Sequence, residues 1–591
     1  MPSNVTQTAK EALNKVLGKG SPYSCTVGDY LLHRLREVGC SMIFGVPGDF
    51  NMEFLDQIED FEGIEWGANA NELNAGYAAD GYARIKGIGA LCTTFGVGEL
   101  SAINAIAGSQ AELVPVVHIV GTPSTVSQAD GAILHHTLGN GDFHVFQNMS
   151  VPVTVAQTSL VPSTAASEID RVLTQCLLHR RPVYIALPTD VALKNITGTF
   201  APLDLTHTPN PPEAEREAIS HILSAIKAAQ SPAILIDGCA QRFHVERELR
   251  RFIDASGFPV YEAPMGKGIV SEFHPQFRGS YVGELTPANV RTELEGMDLV
   301  IMVGAIKSDF NTGGFTFHIP PEKLIELHST HTTIFHAQYN RVGFRGVLDK
   351  LAEALPTPRP WVLPPVEPVG TVGKEGDSEV EIRHDFFWDA LGTFLGKEPY
   401  IVVAETGTSS FGTSTQRLAD GSRYVSQVLY GSIGFATAAA LGTAVAGREL
   451  DRPLRTVLVT GDGSFQLTGN ELSTFLRHKL TPIIIIINND GYTIERYIHG
   501  PTRRYNRTAM WSYAQSLSYF SVPQDKDTYP KFGLQRRVEA KKDVVGVLTQ
   551  AFEERDSIHV VEVVMPTMDA PQGMIKTAEK AREENKYDGD S

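Results

Sequence analysis

Two short polar segments constrain this 591-residue chain more than anything else in it. Gly461-Asp462-Gly463 follows the apolar run Val457-Leu458-Val459-Thr460, and Asn488-Asn489-Asp490-Gly491 follows Ile483 to Ile487. Short, uninterrupted β-branched runs are how strands of a parallel sheet read when both faces are covered. The carboxyl ends of such strands open on one ligand crevice. There Asp462 and Asn489 offer hard oxygen ligands, and Gly463 and Gly491 let backbone approach closely. That suits the octahedral, water-retaining coordination of a Mg²⁺ ion carrying a diphosphate. The 24 residues between Gly463 and Asn488 hold one helix and the next strand, so the two loops are expected on adjacent βα units. A lone Gly-Asp-Gly would mean little, because Asp-Gly is common in turns; the pair on two buried strands carries the weight.

Two Pro-rich segments, Ala201 to Pro212 and Pro356 to about Gly376, divide the chain into three. In each third, apolar strand runs alternate with helix-like stretches, which is the pattern of parallel sheets covered by helices. The fold class is therefore α/β, with three domains, each a mainly parallel sheet flanked by helices. The expected strands are Leu91 to Phe95, Val116 to Val120 and Val183 to Leu187 in the first third, and Ala233 to Ile236, Leu299 to Val303 and Leu324 to Leu327 in the second. In the last third they are Ile401 to Ala404, Val457 to Thr460, Ile483 to Ile487 and His559 to Val564. The corresponding boundaries are an extension over 1–24, domains over 25–200, 214–355 and 381–570 with linkers at 201–213 and 356–380, and a polar tail over 571–591. Met1 to Gly20 and the charged, aromatic-poor Lys576 to Ser591 read as loose ends.

A net charge of −17 disfavours nucleic-acid or anionic-lipid partners, and no apolar stretch approaches the roughly 20 residues that cross a bilayer. The segment Met1 to Pro22 has no apolar core and no Arg, so neither a secretory signal nor a transit peptide is expected and the cytoplasm is the default. The five cysteines, at 25, 40, 92, 176 and 239, form no Cys-x-x-Cys pair, so neither a disulfide framework nor a zinc site is indicated.

Gly-Asp-Gly followed at this interval by Asn-Asn resembles the motif of thiamine-diphosphate enzymes. The first third strengthens the resemblance. Asn69 to Arg84 carries small residues at helical spacing behind Glu72, with Phe44-Gly45-Val46-Pro47-Gly48-Asp49 upstream and Gly96-Val97-Gly98-Glu99-Leu100-Ser101 downstream. On local sequence alone, a carboxylate at a helix start is a dipole partner or cap. The resemblance makes Glu72 instead the carboxylate that hydrogen-bonds the pyrimidine ring and favours the tautomer that removes the thiazolium proton, forming the ylid.

Gly48-Asp49-Phe50-Asn51, the pair His135-His136, and Asp490-Gly491-Tyr492-Thr493-Ile494-Glu495 narrow the resemblance to pyruvate decarboxylases of the fungal type, over nearly the whole chain. It implies a dry acid–base cluster of Asp49, His135, His136 and Glu495, with Glu495 beside the departing carboxylate and Asp49 with His136 active in aldehyde release. It also implies thiamine diphosphate held by Thr408, Gly431, Ile433, Asp462, Gly463, Ser464, Asn489 and Gly491, and Mg²⁺ held by Asp462, Asn489 and Gly491. Ile433 would wedge between the cofactor rings, and the Gly431 carbonyl would hold the pyrimidine amino group.

Thr406, Ile494 and Ile498 match the substrate pocket. The two isoleucines, one helical turn apart, favour pyruvate over bulky 2-oxo acids. An aryl or branched 2-oxo acid decarboxylase, an acetolactate-forming carboligase and a non-catalytic assembly protein are the alternatives. The partners implied are pyruvate or another small 2-oxo acid and further copies of the chain, as a dimer or tetramer, with no nucleic acid and no membrane. Cys239 occupies the place of a thiol proposed to sense substrate in yeast-type members. Here, however, Glu112 is followed by Leu113 where those members carry His, so the activating imidazole is missing.

Overall fold

The computed structural model describes residues 21–355, 380–522 and 528–584. Within them the chain folds into three large sheets covered by helices, as the alternation of runs requires, and one two-stranded sheet. The expected Pro-rich linker falls almost wholly outside the described residues.

The N-terminal sheet is parallel, in the order Glu65–Trp66, Met42–Gly45, Gly89–Thr94, Val116–Thr122, Val183–Pro188, Ala156–Ser159. The C-terminal sheet is parallel too, ordered Arg423–Val425, Ile401–Ala404, Thr456–Gly461, Ile483–Asn488, Ser557–Val564, Lys531–Val538. Counted within each sheet, both follow the order 2-1-3-4-6-5. The two cofactor-type domains therefore share one topology, and in each the strand order switches direction between the first and third strands, where ligands of open α/β sheets bind. The central sheet has five parallel strands, from Phe277–Ser280 to Leu324–Leu327, and ends in the antiparallel pair His331–Ile334 and Ala337–Asn340. The expected strands are all present, most of them longer by one or two residues at an end.

The first and last domains are joined by helix Glu72–Lys86 against helix Phe435–Arg448. A Cβ on Gly81 would stand 2.2 Å from the Ala439 carbonyl oxygen, and one on Gly442 would stand 1.9 Å from that of Ala78. Only glycine at these two positions allows so close a helix approach. The small residues of both helices thus serve packing, and the apolar cores of the two domains are continuous.

Two boundaries differ from expectation. Strand Ser21–Thr26 pairs antiparallel with Asn195–Phe200, so the N-terminal domain begins before residue 25. The expected polar tail contains helix Gln572–Glu584, which buries Met574 and Ala578 completely. Their four-residue spacing places both on one face, a short apolar stripe that the charged composition of the segment conceals.

Candidate active site

Strands Thr456–Gly461 and Ile483–Asn488 are hydrogen-bonded neighbours, with Val457 opposite Ile483 and Gly461 opposite Ile487. The two metal-type loops therefore emerge side by side. Asp462 joins them: its Oδ1 accepts from Gly463 N–H at 2.8 Å and its Oδ2 from Gly491 N–H at 2.8 Å. The second loop turns through two left-handed residues, Asp490 at φ 62° and Gly491 at φ 104°. A Cβ on Gly491 would meet the Asn506 carbonyl oxygen at 2.1 Å, which explains the glycine. Arg496 braces the turn by donating from Nη2 to the Asp490 carbonyl at 2.6 Å.

The loops open on a cavity of about 920 Å³, within the range of small-ligand sites. All twelve of the residues expected in the C-terminal domain line it. Asp462, Gly463, Ser464, Asn489 and Gly491 form one wall. Thr406, Thr408, Gly431 and Ile433 come from the turns that follow Ile401–Ala404 and Arg423–Val425. Ile494, Glu495 and Ile498 project from helix Thr493–His499.

The electrostatics fit a cation and a charged cofactor. Burial pushes Asp462 up to about 6 against the two N–H groups that stabilise its charge, and no cationic side chain among the described residues pairs with it. A buried carboxylate in that condition has the oxygen chemistry that a divalent ion accepts. Burial also raises the carboxyl of Glu495, whose Oε2 has no hydrogen-bond partner. Such a group can carry a proton where an exposed glutamate would be ionised.

The other four expected residues do not line this cavity. Glu72 opens helix Glu72–Lys86, behind the cap residue Asn71. Asp49 Oδ2 and His135 Nε2 are 2.5 Å apart, and His136 Nε2 lies 3.9 Å from Asp49 Oδ1. The His135 ring stacks on Phe50 with centroids 5.0 Å apart. Asp49 and His135 keep 45% and 58% of their side-chain surface exposed, so the dry pocket expected around them does not exist in the single chain. The expected acid–base cluster is therefore divided in the single chain: Asp49, His135 and His136 stand together on the N-terminal domain, whereas Glu495 lines the cavity with the Asp462 and Asn489 loops.

Two buried carboxylates that hold segments around the site were not singled out by the sequence. Glu405, directly after strand Ile401–Ala404, accepts from the N–H groups of Thr406, Gly434 and Ala436 at 3.1, 3.1 and 3.2 Å, and so holds the segments bearing Thr406 and Ile433. A lone carboxylate at the end of a fully apolar strand was the available signal. Glu471 binds Asn69 and Asn74 across 402 and 397 positions, and nothing local announces it.

Cys239 is buried, and its thiol is pushed up to about 12 by that burial and by Asp237. Leu113 packs against the central-domain core cluster to which Cys239 belongs. Glu112 is instead approached by Arg242, whose Nε donates to the Glu112 carbonyl at 3.1 Å.

Paired loops at the carboxyl ends of adjacent strands of a doubly covered parallel sheet, joined through a buried Asp, fit the class of enzyme that carries a diphosphate cofactor. Comparison with known proteins specifies the cofactor. Residues 25–148 match the N-terminal TPP-binding domain of thiamine pyrophosphate enzymes, 219–355 the central domain and 405–563 the C-terminal TPP-binding domain. The chain is 45% identical over 571 residues to a pyruvate decarboxylase of Aspergillus fumigatus, covering 95% of this chain and 97% of the relative. It is 44% identical over 559 residues to one of Candida glabrata, at 94% and 97% coverage, and 42% identical over 559 to isozyme 1 of Saccharomyces cerevisiae, at 94% and 98%. The chain belongs to the thiamine-diphosphate-dependent pyruvate decarboxylase family of fungal type.

Proposed function

We propose that this protein decarboxylates pyruvate to acetaldehyde and CO₂ without oxidation, using thiamine diphosphate and Mg²⁺. One observation carries the reading: a single cavity gathers both Gly-rich loops, Ile433, the Glu495 carboxyl with its unpartnered Oε2, and the two isoleucines. When bound, thiamine diphosphate supplies a carbon acid that adds to the carbonyl of a 2-oxo acid and a cationic ring that accepts the electrons released with CO₂.

The chain's own residues do the rest. Asp462, Asn489 and the Gly491 carbonyl would hold Mg²⁺, while Gly463, Ser464 and Thr408 take the diphosphate. Ile433 and the Gly431 carbonyl would contact the two rings of the cofactor and hold them in place. Ile494 and Ile498 limit the acyl group to a small one; a methylene in such a pocket discriminates by about 1–3 kcal/mol, so larger 2-oxo acids are slow substrates. Glu495, with its raised pKa, holds a proton beside the departing carboxylate. Asp49 and His136 would move a proton as the aldehyde leaves, and Glu72 would hydrogen-bond the pyrimidine ring.

Asp49, Glu72, His135 and His136 lie outside the cavity of their own chain, so a second copy supplies them and a dimer is the smallest active unit, with tetramers built from it. No helix among the described residues is long and apolar enough to cross a membrane, and the cytoplasm is the proposed compartment. The test is a coupled acetaldehyde assay on pyruvate and phenylpyruvate, with and without thiamine diphosphate and Mg²⁺. Cofactor-dependent acetaldehyde release, faster on pyruvate, is expected. Preference for phenylpyruvate indicates an aryl 2-oxo acid decarboxylase, and neither product indicates a non-catalytic chain.

A further inference from the structure

Glu99 is a buried carboxylate that none of these steps uses. It is 2% exposed, in the first turn of helix Val97–Ala111, and both of its oxygens are engaged. Oε1 accepts from Gly96 N–H at 2.8 Å, and Oε2 accepts from the Tyr184 hydroxyl at 2.8 Å. Tyr184 is itself buried on strand Val183–Pro188, two strands across the sheet. Burial pushes Glu99 up to about 7. So costly a group is retained only where its bonds hold something in place.

What it holds is a turn that follows the third strand of the N-terminal sheet. In the shared 2-1-3-4-6-5 order this is the counterpart of the Gly461-Asp462-Gly463 turn of the C-terminal sheet. Glu72 and His136 rest on it, and the residue before Asp49 backs onto the strand end that leads into it. Gly96 sits at φ 68°, and a Cβ there would lie 2.1 Å from the His136 carbonyl oxygen. A Cβ on Gly98 would lie 3.1 Å from Glu72 Oε1 and 3.1 Å from Thr94 Cγ2. Gly48, next to Asp49, backs onto the same Thr94, 2.5 Å from its Cβ to the position a Cβ would take. His136 has φ 64°, an uncommon conformation for a non-glycine residue that surrounding structure must sustain.

We propose that Glu99, braced by Tyr184, is a positioning residue for catalysis: it fixes the Gly96–Gly98 turn on which Glu72 and His136 are seated. The inference rests on the reading above that Glu72 and His136 serve the cofactor. It predicts a role for a residue that contacts neither cofactor nor substrate.

The test compares wild type, Glu99→Ala, Glu99→Gln and Tyr184→Phe, each assembled with thiamine diphosphate and Mg²⁺. Kinetics on pyruvate are read beside amide hydrogen exchange over residues 94–100. Glu99→Ala should lower kcat by about 10- to 100-fold with little change in KM, the scale of a displaced catalytic group, and should speed exchange in that peptide. Glu99→Gln should recover most of the loss, since its carbonyl can accept from Gly96 and its amide can donate to the Tyr184 oxygen. Tyr184→Phe keeps the Gly96 bond and should give an intermediate kcat, which keeps the test open if Glu99→Ala does not fold. Unchanged kcat in Glu99→Ala and Tyr184→Phe, unchanged exchange, or Glu99→Gln as impaired as Glu99→Ala would each overturn the proposal. A wild-type enzyme that makes no acetaldehyde would instead sink the functional reading, whereas active wild type with fully active variants defeats this inference alone.

Discussion

Glu471 and Asn74 lie 397 positions apart, yet Asn74 Nδ2 donates to Glu471 Oε2 at 2.7 Å with neither side chain exposed. The other oxygen of Glu471 accepts from Asn69 Nδ2 at 2.8 Å. Burial pushes this carboxyl upward, and the two amides oppose that shift. Because Asn69 and Asn74 bracket Glu72, the clamp ties the start of the Glu72 helix to the domain that carries Asp462. In a urea double-mutant cycle, Glu471→Ala and Asn74→Ala should each destabilise the chain, with a coupling of about 0.5–3 kcal/mol. Strictly additive effects would show that the two side chains do not interact.

Glu72→Gln tests the acid–base role most directly. The substitution keeps size and hydrogen-bonding capacity but removes the exchangeable carboxyl proton, so folding should survive. Turnover on pyruvate should fall by about 10²- to 10⁴-fold, the usual contribution of a positioned acid or base. Near-normal turnover would remove Glu72 from the mechanism.

Asp462→Ala removes both the proposed metal ligand and the bond to Gly491 N–H that holds the two loops together. Retention of thiamine diphosphate after gel filtration in Mg²⁺ should be lost, while the distant central domain keeps its stability. Tight, Mg²⁺-dependent retention in this variant would show that the ion sits elsewhere.

The parallel sheets were legible because uninterrupted runs such as Ile483 to Ile487 have no alternative to burial on both faces. The residues of the metal loops were legible because two short motifs sit at fixed places relative to those runs. What could not be read is whatever depends on contacts between distant segments. Glu471 looks like any surface glutamate until Asn69 and Asn74 arrive from another domain. The helix Gln572–Glu584 was masked by its charges, since only Met574 and Ala578 mark its apolar face. The grouping of Asp49, His135 and His136 was expected by resemblance alone, and their exposure in a single chain follows from three-dimensional placement that no local pattern encodes.

Cys239→Ser should leave any sigmoidal dependence on pyruvate unchanged. The thiol is pushed up to about 12, with desolvation as the main cause and Asp237 adding to it, so the reactive thiolate is scarce near neutral pH. Leu113 provides no imidazole to change that. Initial rates across pyruvate concentrations decide the matter, and loss of cooperativity in the variant would show that the thiol takes part after all.

Glu405 gives a pH dependence with a definite sign. Burial pushes its carboxyl from the usual 4.5 up to about 7, although three backbone N–H groups favour its charged form. The folded chain therefore holds this proton more tightly than the unfolded chain does. The resulting stabilisation is fully present below about pH 4.5 and is lost as pH rises through about 7. Glu405→Gln cannot titrate, so the stability of wild type relative to the variant should decline across that window and level off above it. The change should be on the order of 3 kcal/mol, the linkage equivalent of such a shift for a fully buried group. Other raised carboxyls, such as that of Glu99, act in the same direction in both proteins, so the difference isolates Glu405. Unfolding midpoints of the cofactor-free proteins in urea, measured from pH 4.5 to 8, provide the check. A difference that stays flat with pH would mean that Glu405 keeps its charge in the folded state and holds Thr406, Gly434 and Ala436 as a carboxylate throughout.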